Sequence, residues 1–410
     1  MADLRLPVPE TADLDDLMCA EAVDRPSDFY RRMRDVHPVY WNKRWNGWVV
    51  TGYAEVLAGF RDHSRLSSDR FAGPFGKDLK TSSDLFSVLS KFFVWKDPPE
   101  HTHMRGLVQK AFTPRSIERL RPRIRQLTRS LIPGLRDKPS ADFLARFAFT
   151  LPLAVIAEYL GVPAEEREVV RNCSQELAAV IFGQRNDPAR MSNGERAMHD
   201  LVELIRPLVQ RRRRDPREDL ITGMIHAAGR TEPRSDNDIV AHVIAVLFAG
   251  HETTTNLLAN GIVAFDQFPG QWRLLGEHPQ LARTAPDEIL RFDCPVRAQA
   301  RWAKHPLDLG GRRIAQGDRV LLVQYAANRD PAFFEHPDHV DITRSPNRHL
   351  AFGHGIHTCL GAALARVEAE IAFEELARAF PEYTVDHELH YQPTVTSRSL
   401  SRLHVTFHEA

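Results

Sequence analysis

The run Ala-Phe-Gly-His-Gly-Ile-His-Thr-Cys-Leu-Gly at residues 351–361 carries the strongest structural signal in this chain. It fits the pattern F-x-x-G-x-x-x-C-x-G, in which Gly355 and Gly361 let the backbone turn tightly and approach a flat ligand closely. Residues 360–380 are apolar at helical spacing. Cys359 therefore stands at a helix N-terminus, where the helix dipole and free N–H groups favour a thiolate. The loop therefore predicts a site at which a cysteine thiolate binds a metal.

A thiolate in such a loop suits an iron porphyrin, because it pushes electron density across ferric haem and favours O–O cleavage. Two other interpretations of Cys359 remain open from the loop alone. It could be a small core hydrophobe, or a nucleophile with His354 or His357 as its base. The nucleophile is disfavoured because nothing in the loop supplies both a base and an orienting acid.

The composition of the 410-residue chain is that of a globular protein, with 43% hydrophobic and 26% charged residues. Its 54 basic and 54 acidic residues give zero net charge, which argues against nucleic acid as a partner. The four cysteines include no C-x-x-C pair, so we expect a reduced, cytoplasmic setting. They are Cys19, Cys173, Cys294 and Cys359.

No membrane segment is expected. The N-terminus is acidic and contains proline, unlike a signal peptide. The most apolar long run, residues 239–250, is interrupted by His242 and is too short to span a bilayer.

Periodicity predicts one mainly α-helical domain with small β-sheets, comprising residues 26–410 after an N-terminal segment 1–25. A hairpin is expected where strand-like residues 39–41 and 48–51 flank the turn signal Asn46-Gly47. Two irregular stretches, 71–94 and 183–193, are candidate lids over an apolar pocket or plain surface loops. The predicted helices are 104–112, 114–131, 143–160, 164–182, 193–213, 239–265 and 286–291, and further strands are expected at 301–303, 307–309, 319–325 and 399–407.

Polar residues interrupt the long apolar helix at Gly250, Glu252 and Thr253. These residues are unfavourable in the interior of a helix and in a buried position. Their presence therefore implies a pocket, a kink in the helix or a polar stripe between helices. Thr253 can bond back to a carbonyl and bend the helix. A hydroxyl that receives protons from a carboxylate can pass them to oxygen bound at haem iron. A zinc site of the H-E-x-x-H type is excluded because Thr255 replaces the second histidine.

These motifs resemble those of the cytochrome P450 superfamily, and the resemblance runs from about residue 26 to 407. It implies the cytochrome P450 fold, with haem b between the long central helix and the helix that follows Cys359. It also implies that Cys359 ligates the iron and that Glu252 and Thr253 are catalytic, with a bulge at Gly250 that makes room for O2.

The resemblance extends to charged residues. Glu288, Arg291 and Arg344 match a buried ion network of the family. His101 and Arg105, at i and i+4, match residues that bind the haem propionates, and Arg301 and His357 occupy the other two propionate positions. The full set of implied haem contacts is His101, Arg105, Ala249, Arg301, Phe352, Gly353, His357, Cys359, Leu360, Gly361 and Ala365.

The implied substrate contacts are Ala245, Phe248, Ala249, Val296 and Arg297. For Arg297 three outcomes are open. It could turn outward, supplement Arg301 at a propionate, or clamp a substrate carboxylate with its guanidinium. Because a lone guanidinium in an apolar pocket is costly, we expect it to have an anionic partner.

The resemblance predicts a monooxygenase that inserts one atom of O2 into a C–H or C=C bond of an apolar-rich small molecule. With no fused reductase expected, electrons would come from NAD(P)H through a ferredoxin and its reductase, or through another small carrier. The carrier would dock on the Cys359 face of a monomer. A peroxide-driven oxygenase and a non-catalytic haem-binding protein are the alternatives. Neither needs the proton relay that Glu252 and Thr253 would form.

Overall fold

A computed structural model describes residues 13–76, 84–110, 112–136, 140–182, 187–228 and 235–408. Most of these residues are helical, as the periodicity predicted. The α-helices are α1 Ala20–Asp24, α2 Pro26–Val36, α3 Tyr53–Arg61, α4 Gly73–Gly76, α5 Asp84–Leu89, α6 Glu100–Gln109, α7 Pro114–Glu118, α8 Arg121–Leu131, α9 Pro133–Arg136, α10 Thr150–Leu160, α11 Arg167–Phe182, α12 Pro188–Arg214, α13 Leu220–Ala228, α14 Asp236–Gln267, α15 Pro269–Glu277, α16 Ala285–Phe292, α17 Gln324–Ala327 and α18 Ala362–Ala379.

The strands form three small sheets at the margin of the helical body. The largest has the order β1-β2-β8-β5-β3, the second β4-β10-β9, and the third β6-β7. The predicted hairpin is confirmed: β1 and β2 pair antiparallel, and Asn46 in the turn has a φ of 52°. The strands are β1 Val39–Asn42, β2 Gly47–Val50, β3 Leu66–Ser67, β4 Ala141–Asp142, β5 Gln299–Ala303, β6 Leu307–Leu309, β7 Arg312–Ile314, β8 Arg319–Leu322, β9 Glu382–Val385 and β10 His404–His408.

Three of the predicted helices are divided in the structure, among them 164–182, which begins with the 3-10 turn Ala164–Glu166 before α11. The segment 114–131 separates into α7 and α8, with Pro122 in the first turn of α8, where its missing N–H costs nothing. The segment 143–160 begins with a π-helical turn, Leu144–Ala148, before α10. Of the two candidate lids, parts lie outside the described residues, namely 77–83 and 183–186.

Helix α14 is the centre of the core. It begins at the N-cap Ser235, whose side chain accepts a hydrogen bond from Asp238 N–H, and most of its residues are buried on all sides. Helix α18 packs against it closely at Gly261, where an added Cβ would lie 2.4 Å from Phe373 Cζ. The missing side chain of Gly261 therefore fixes how near these two helices approach.

A buried ion network connects α16 to the segment before the cysteine loop. Arg291, which is fully buried, donates to both carboxylate oxygens of Glu288 at 2.8 Å. Arg344 Nε donates to Glu288 Oε2 at 3.1 Å, and Asn347 Nδ2 donates to the same oxygen at 3.0 Å. The N–H of Asp341 completes the set at 2.8 Å from Glu288 Oε1. One carboxylate thus organises residues from two distant parts of the chain.

Gly261→Ala is expected to destabilise the protein by about 1–3 kcal/mol, because the new methyl group overlaps the Phe373 ring. The matched control is Gly223→Ala on α13, where an added Cβ meets nothing within 4 Å. That change should stabilise by about 0.5–1 kcal/mol through helix propensity alone. Denaturant unfolding of both variants measures the difference. Equal, favourable effects would contradict the proposed close contact.

Glu288→Gln is expected to cost about 3–5 kcal/mol, because it leaves the buried Arg291 without a counter-charge. Asp308→Asn is the control, since its partner Arg313 is 65% exposed and such pairs contribute little. Thermal unfolding of the two variants beside the wild type tests the contrast. Similar small losses would show that the network is not structurally important.

Candidate active site

The cysteine loop places its thiol at one wall of a cavity. Gly353 and Gly355 have φ values of 67° and 75°, in the region that favours glycine. Cys359 N–H donates to the carbonyl of Phe352 at 2.8 Å, which closes the loop just before α18. The Cys359 side chain lines the cavity and is accessible from it. The loop therefore presents sulfur to an enclosed space rather than packing it as a core hydrophobe.

Burial dominates the electrostatics of this thiol. It raises the pKa of Cys359, while the Gly361 N–H and the guanidinium groups of Arg105 and Arg366 act in the opposite direction. The helix N-terminus thus favours the anion, as the sequence indicated, but does not outweigh burial. A cation bound to the sulfur would stabilise the thiolate form of Cys359.

Three basic side chains, those of Arg105, Arg301 and His357, line the same cavity, and His101 lies against His357; we call these four residues the basic cluster. The rings of His101 and His357 are 4.2 Å apart between centroids. Arg105 donates to the carbonyl of Thr358 at 2.7 Å. Arg301 donates to the carbonyl of Ala300 at 2.9 Å and to Gln299 Oε1 at 3.0 Å.

The surroundings of the basic cluster disfavour the charged forms of its side chains. Burial, and then the charge of Arg105, lowers the pKa of His101 to about 4. Burial, and then the charge of Arg301, lowers the pKa of His357 to about 2, and burial lowers that of Arg301 to about 10. Within the described residues, both ring nitrogens of His101 and Nε2 of His357 lack a hydrogen-bond partner. Such a group of donors fits an anionic ligand.

These observations fit a haem, because a thiolate can ligate its iron and its two carboxylates need hydrogen-bond donors. Cys359 could ligate the iron. The histidine nitrogens of the basic cluster that lack partners, together with its two arginines, could bind the carboxylates. The cavity has a volume of about 310 Å³. His101 and Gly353, two of the haem contacts implied by resemblance, do not line the cavity. The others do: Arg105, Ala249, Arg301, Phe352, His357, Cys359, Leu360, Gly361 and Ala365.

Glu252 and Thr253 line the same cavity from α14. Thr253 Oγ1 donates to the carbonyl of Ala249 at 3.0 Å, the back-bond that the sequence suggested. Asn256 Nδ2 donates to Glu252 Oε1 at 3.4 Å. Burial raises the pKa of Glu252 to about 7, with the Asn256 bond acting against it. A carboxyl with such a pKa can both take up and release a proton near neutrality.

The bulge expected at Gly250 is not what the structure contains, because α14 is continuous from Asp236 to Gln267. The glycine serves helix packing instead. An added Cβ would lie 2.6 Å from Ile156 Cγ1, so its absence lets α10 approach α14 beside the cavity.

The structure places Arg297 away from the cavity, so neither the propionate role nor the substrate-carboxylate role has support from it. Its side chain is 1% exposed and is not among the residues that line the cavity. It donates to the carbonyls of Ala22 and Thr394, and its guanidinium lies over the Tyr30 ring at 5.7 Å. Alternation along an extended segment explains the error, since Val296 and Ala298 line the cavity and the residue between them points away. Carbonyl oxygens replace the anionic partner that we expected.

The other implied substrate contacts, Ala245, Phe248, Ala249 and Val296, all line the cavity. Sequence reasoning missed further apolar walls that come from distant elements, because no local pattern reveals which helices meet. It also missed Gln324, a buried residue that donates to the carbonyls of Val296 and Ala351 and so joins the cavity wall to the cysteine loop. The missed walls include Phe112, Ile156, Ile181 and Phe182.

Comparison with known proteins agrees with this geometry. The family model "Cytochrome P450" matches residues 280–397. The "Biotin biosynthesis cytochrome P450" of Bacillus subtilis is 36% identical over 392 residues, which is 95% of this chain and 98% of the relative. The "Vitamin D(3) 25-hydroxylase" of Pseudonocardia autotrophica is 37% identical over 364 residues, covering 88% and 87%.

Solved structures give the same result. P450BioI, crystallised with an acyl carrier protein that carries hexadec-9Z-enoic acid, has a TM-score of 0.88 and 35% identity, with 95% of this chain and 99% of that chain covered. PksS of Bacillus subtilis has a TM-score of 0.86 and 31% identity, with coverage of 97% and 100%. Among the described helices, none is long and apolar enough to cross a membrane. Similarity of this extent over nearly whole chains shows that the protein belongs to the cytochrome P450 family, as a monooxygenase of that family.

Proposed function

We propose that this enzyme inserts one atom of O2 into a C–H or C=C bond of an apolar-rich small molecule. What supports the proposal is that one cavity is lined by Cys359, by Arg105, Arg301 and His357 of the basic cluster, and by the pair Glu252–Thr253. Its remaining walls are mostly apolar. The named relatives differ in their biosynthetic roles, so they support the reaction class and not one substrate.

Haem b is the proposed cofactor, with Cys359 as the iron ligand and the basic cluster holding the propionates. When bound, it supplies O2 binding and O–O bond cleavage. The arginines neutralise the carboxylates, and the two histidines donate hydrogen bonds from nitrogens that otherwise lack partners. Ala249, Phe352, Leu360, Gly361 and Ala365 provide an apolar surface against which a flat ring system can pack.

Glu252 and Thr253 are the proposed proton-delivery pair. The Thr253 side chain lines the cavity while its hydroxyl donates to the Ala249 carbonyl, so its oxygen can still accept a hydrogen bond from a neighbouring donor. Glu252, the preceding residue, lines the same cavity and has a pKa of about 7, so it can release a proton into that space near neutrality. Both side chains are fixed on a rigid, buried helix, which keeps the donor at a constant position.

We further propose that electrons come from NAD(P)H through a separate ferredoxin and its reductase. The carrier would dock on the Cys359 face, because that side gives the shortest route to the sulfur. The enzyme is proposed to act as a cytoplasmic monomer. A peroxide-driven oxygenase or a silent haem-binding protein would not need a proton relay, and the presence of both Glu252 and Thr253 on the cavity favours the O2-dependent reaction.

Thr253→Ala is expected to keep substrate binding but to divert electrons to hydrogen peroxide. Product formed per NAD(P)H consumed should fall by up to about 10²-fold, the contribution of one proton-transfer group. Thr255→Ala is the matched control, since Thr255 is buried on the same helix and does not line the cavity. Unchanged coupling in the Thr253 variant would remove this hydroxyl from the mechanism.

The pH dependence of turnover should report Glu252. Its protonated form, which can donate, is lost as the pH rises through about 7, so coupled turnover should decline there. Glu252→Gln should give low turnover with no such transition. A transition near pH 7 that persists in the variant would assign it to another group.

The same shift predicts a stability change. The folded pKa of Glu252 lies above its ordinary value of 4.5, so the folded state binds more protons and loses stability as the pH rises from 4.5 through about 7. Glu252→Gln should therefore be stabilised relative to the wild type above pH 7, by up to about 3 kcal/mol, and not below pH 4.5. Denaturant unfolding at the two extremes measures this.

A further inference from the structure

Two segments of the chain, residues 295–298 and 394–398, lie side by side at one wall of the cavity, and we call them the paired segments. An antiparallel bridge joins them. Val296, Ala298 and Thr396 line the cavity. These three uncharged side chains therefore form part of the wall of the space in which substrate is proposed to bind.

Two buried arginines lie behind this wall. Arg297 and Arg398 are 1% and 6% exposed and are not among the residues that line the cavity. Their backbones hold the paired segments together, because Arg297 N–H donates to the carbonyl of Thr396 at 2.9 Å and Arg398 N–H donates to that of Pro295 at 2.7 Å. The Arg297 guanidinium adds a bond to the carbonyl of Thr394 at 3.2 Å. Each arginine thus belongs to the wall through its backbone while its side chain points away from the cavity.

The guanidinium groups of both arginines bind the C-terminal end of helix α1. Arg297 donates to the carbonyl of Ala22, and Arg398 donates to the carbonyl of Val23 and, at 3.4 Å, to that of Asp24. The last carbonyls of a helix have no partners within the helix, so these bonds satisfy them. A buried guanidinium is in turn costly unless its N–H groups are bound. The two arginines and α1 therefore stabilise one another.

Further contacts hold this layer from both sides. Arg398 Nε lies 3.2 Å from Asp293 Oδ1, which fixes the guanidinium from the cavity side of α1. On the other side, Glu21 of α1 forms an ion pair with Arg32 of α2. A chain of contacts thus runs from α2 through α1 and the arginines to the cavity wall.

We propose that Arg297 and Arg398 are positioning residues, which set the shape of the substrate side of the cavity by fastening the paired segments to α1. The inference rests on the proposed function, because it concerns the space beside the haem. In a close-packed interior a segment moves with the layer to which it is fastened. Loosening α1 should therefore change the affinity for molecules that touch this wall. The cysteine loop, which α18 and the Glu288 network hold, should be little affected.

Hydrogen–deuterium exchange of the full-length, haem-loaded protein tests the fastening directly. Arg297→Met removes the guanidinium, and exchange of the amides of the paired segments should quicken by about tenfold. Glu21→Gln weakens the hold on α1 from its far side and should quicken the same amides by about two- to threefold. The control is Arg402→Met, which changes an arginine that is 50% exposed and should leave these amides unchanged. Amides of the cysteine loop serve as the internal reference.

Optical titration of the ferric protein with imidazole and 4-phenylimidazole tests the effect on the cavity. Both ligands bind haem iron through nitrogen, and the phenyl ring of the second extends into the cavity. Arg297→Met should weaken 4-phenylimidazole binding by about fivefold or more and imidazole binding by less than about twofold. Glu21→Gln should shift the ratio of the two affinities in the same direction. Because affinity is measured on haem-loaded molecules, a loss of stability alone would not move this ratio.

Unchanged exchange of the paired segments in both variants, or equal weakening of the two ligands, would overturn the positioning role and leave the arginines as ordinary core contacts. If Arg297→Met does not fold, Glu21→Gln decides on both measurements. A wild type that binds imidazole alone, or neither ligand, would contradict the proposed function instead. The exchange experiment needs no ligand, so the two failures are told apart.

Discussion

A desolvated sulfur is costly to ionise without a cation beside it, and buried basic groups are costly to keep charged without an anion. Both conditions meet in one cavity of this protein. Burial raises the pKa of the Cys359 thiol, and the neighbouring basic cluster has depressed pKa values and unpartnered nitrogens. The two halves are complementary to one ligand with a cationic centre and an anionic edge. Contacts between distant parts of the chain keep Cys359 and the basic cluster in position.

Two helices and one carboxylate provide that support. Helix α14 carries Glu252 and Thr253, helix α18 follows Cys359, and Gly261 allows the two helices to pack closely. Glu288 binds groups from the segment that leads into the cysteine loop. Because each contact joins parts of the chain that are far apart in sequence, the cavity depends on the fold as a whole and not on the cysteine loop alone.

Features that depend on local sequence were predictable. The glycines around Cys359, the Asn46-Gly47 hairpin and the polar interruption at Glu252–Thr253 each have a short-range physical signature. Features that depend on distant partners were not. Arg297 lies beside two cavity residues yet faces α1, and Gly250 serves contact with Ile156. Ile181 and Thr396 meet at the cavity only through tertiary packing, so no pattern near either residue could place them there.

The most direct test of the account is the absorption spectrum of the reduced, carbon monoxide-bound protein. The wild type should show the long-wavelength Soret band of a thiolate-ligated haem, and Cys359→His should abolish it. Cys173→Ser, which changes a buried cysteine remote from the cavity lining, should leave the band unchanged. A wild-type spectrum of the histidine-ligated kind, or purification without haem when haem is in ample supply, would contradict the account.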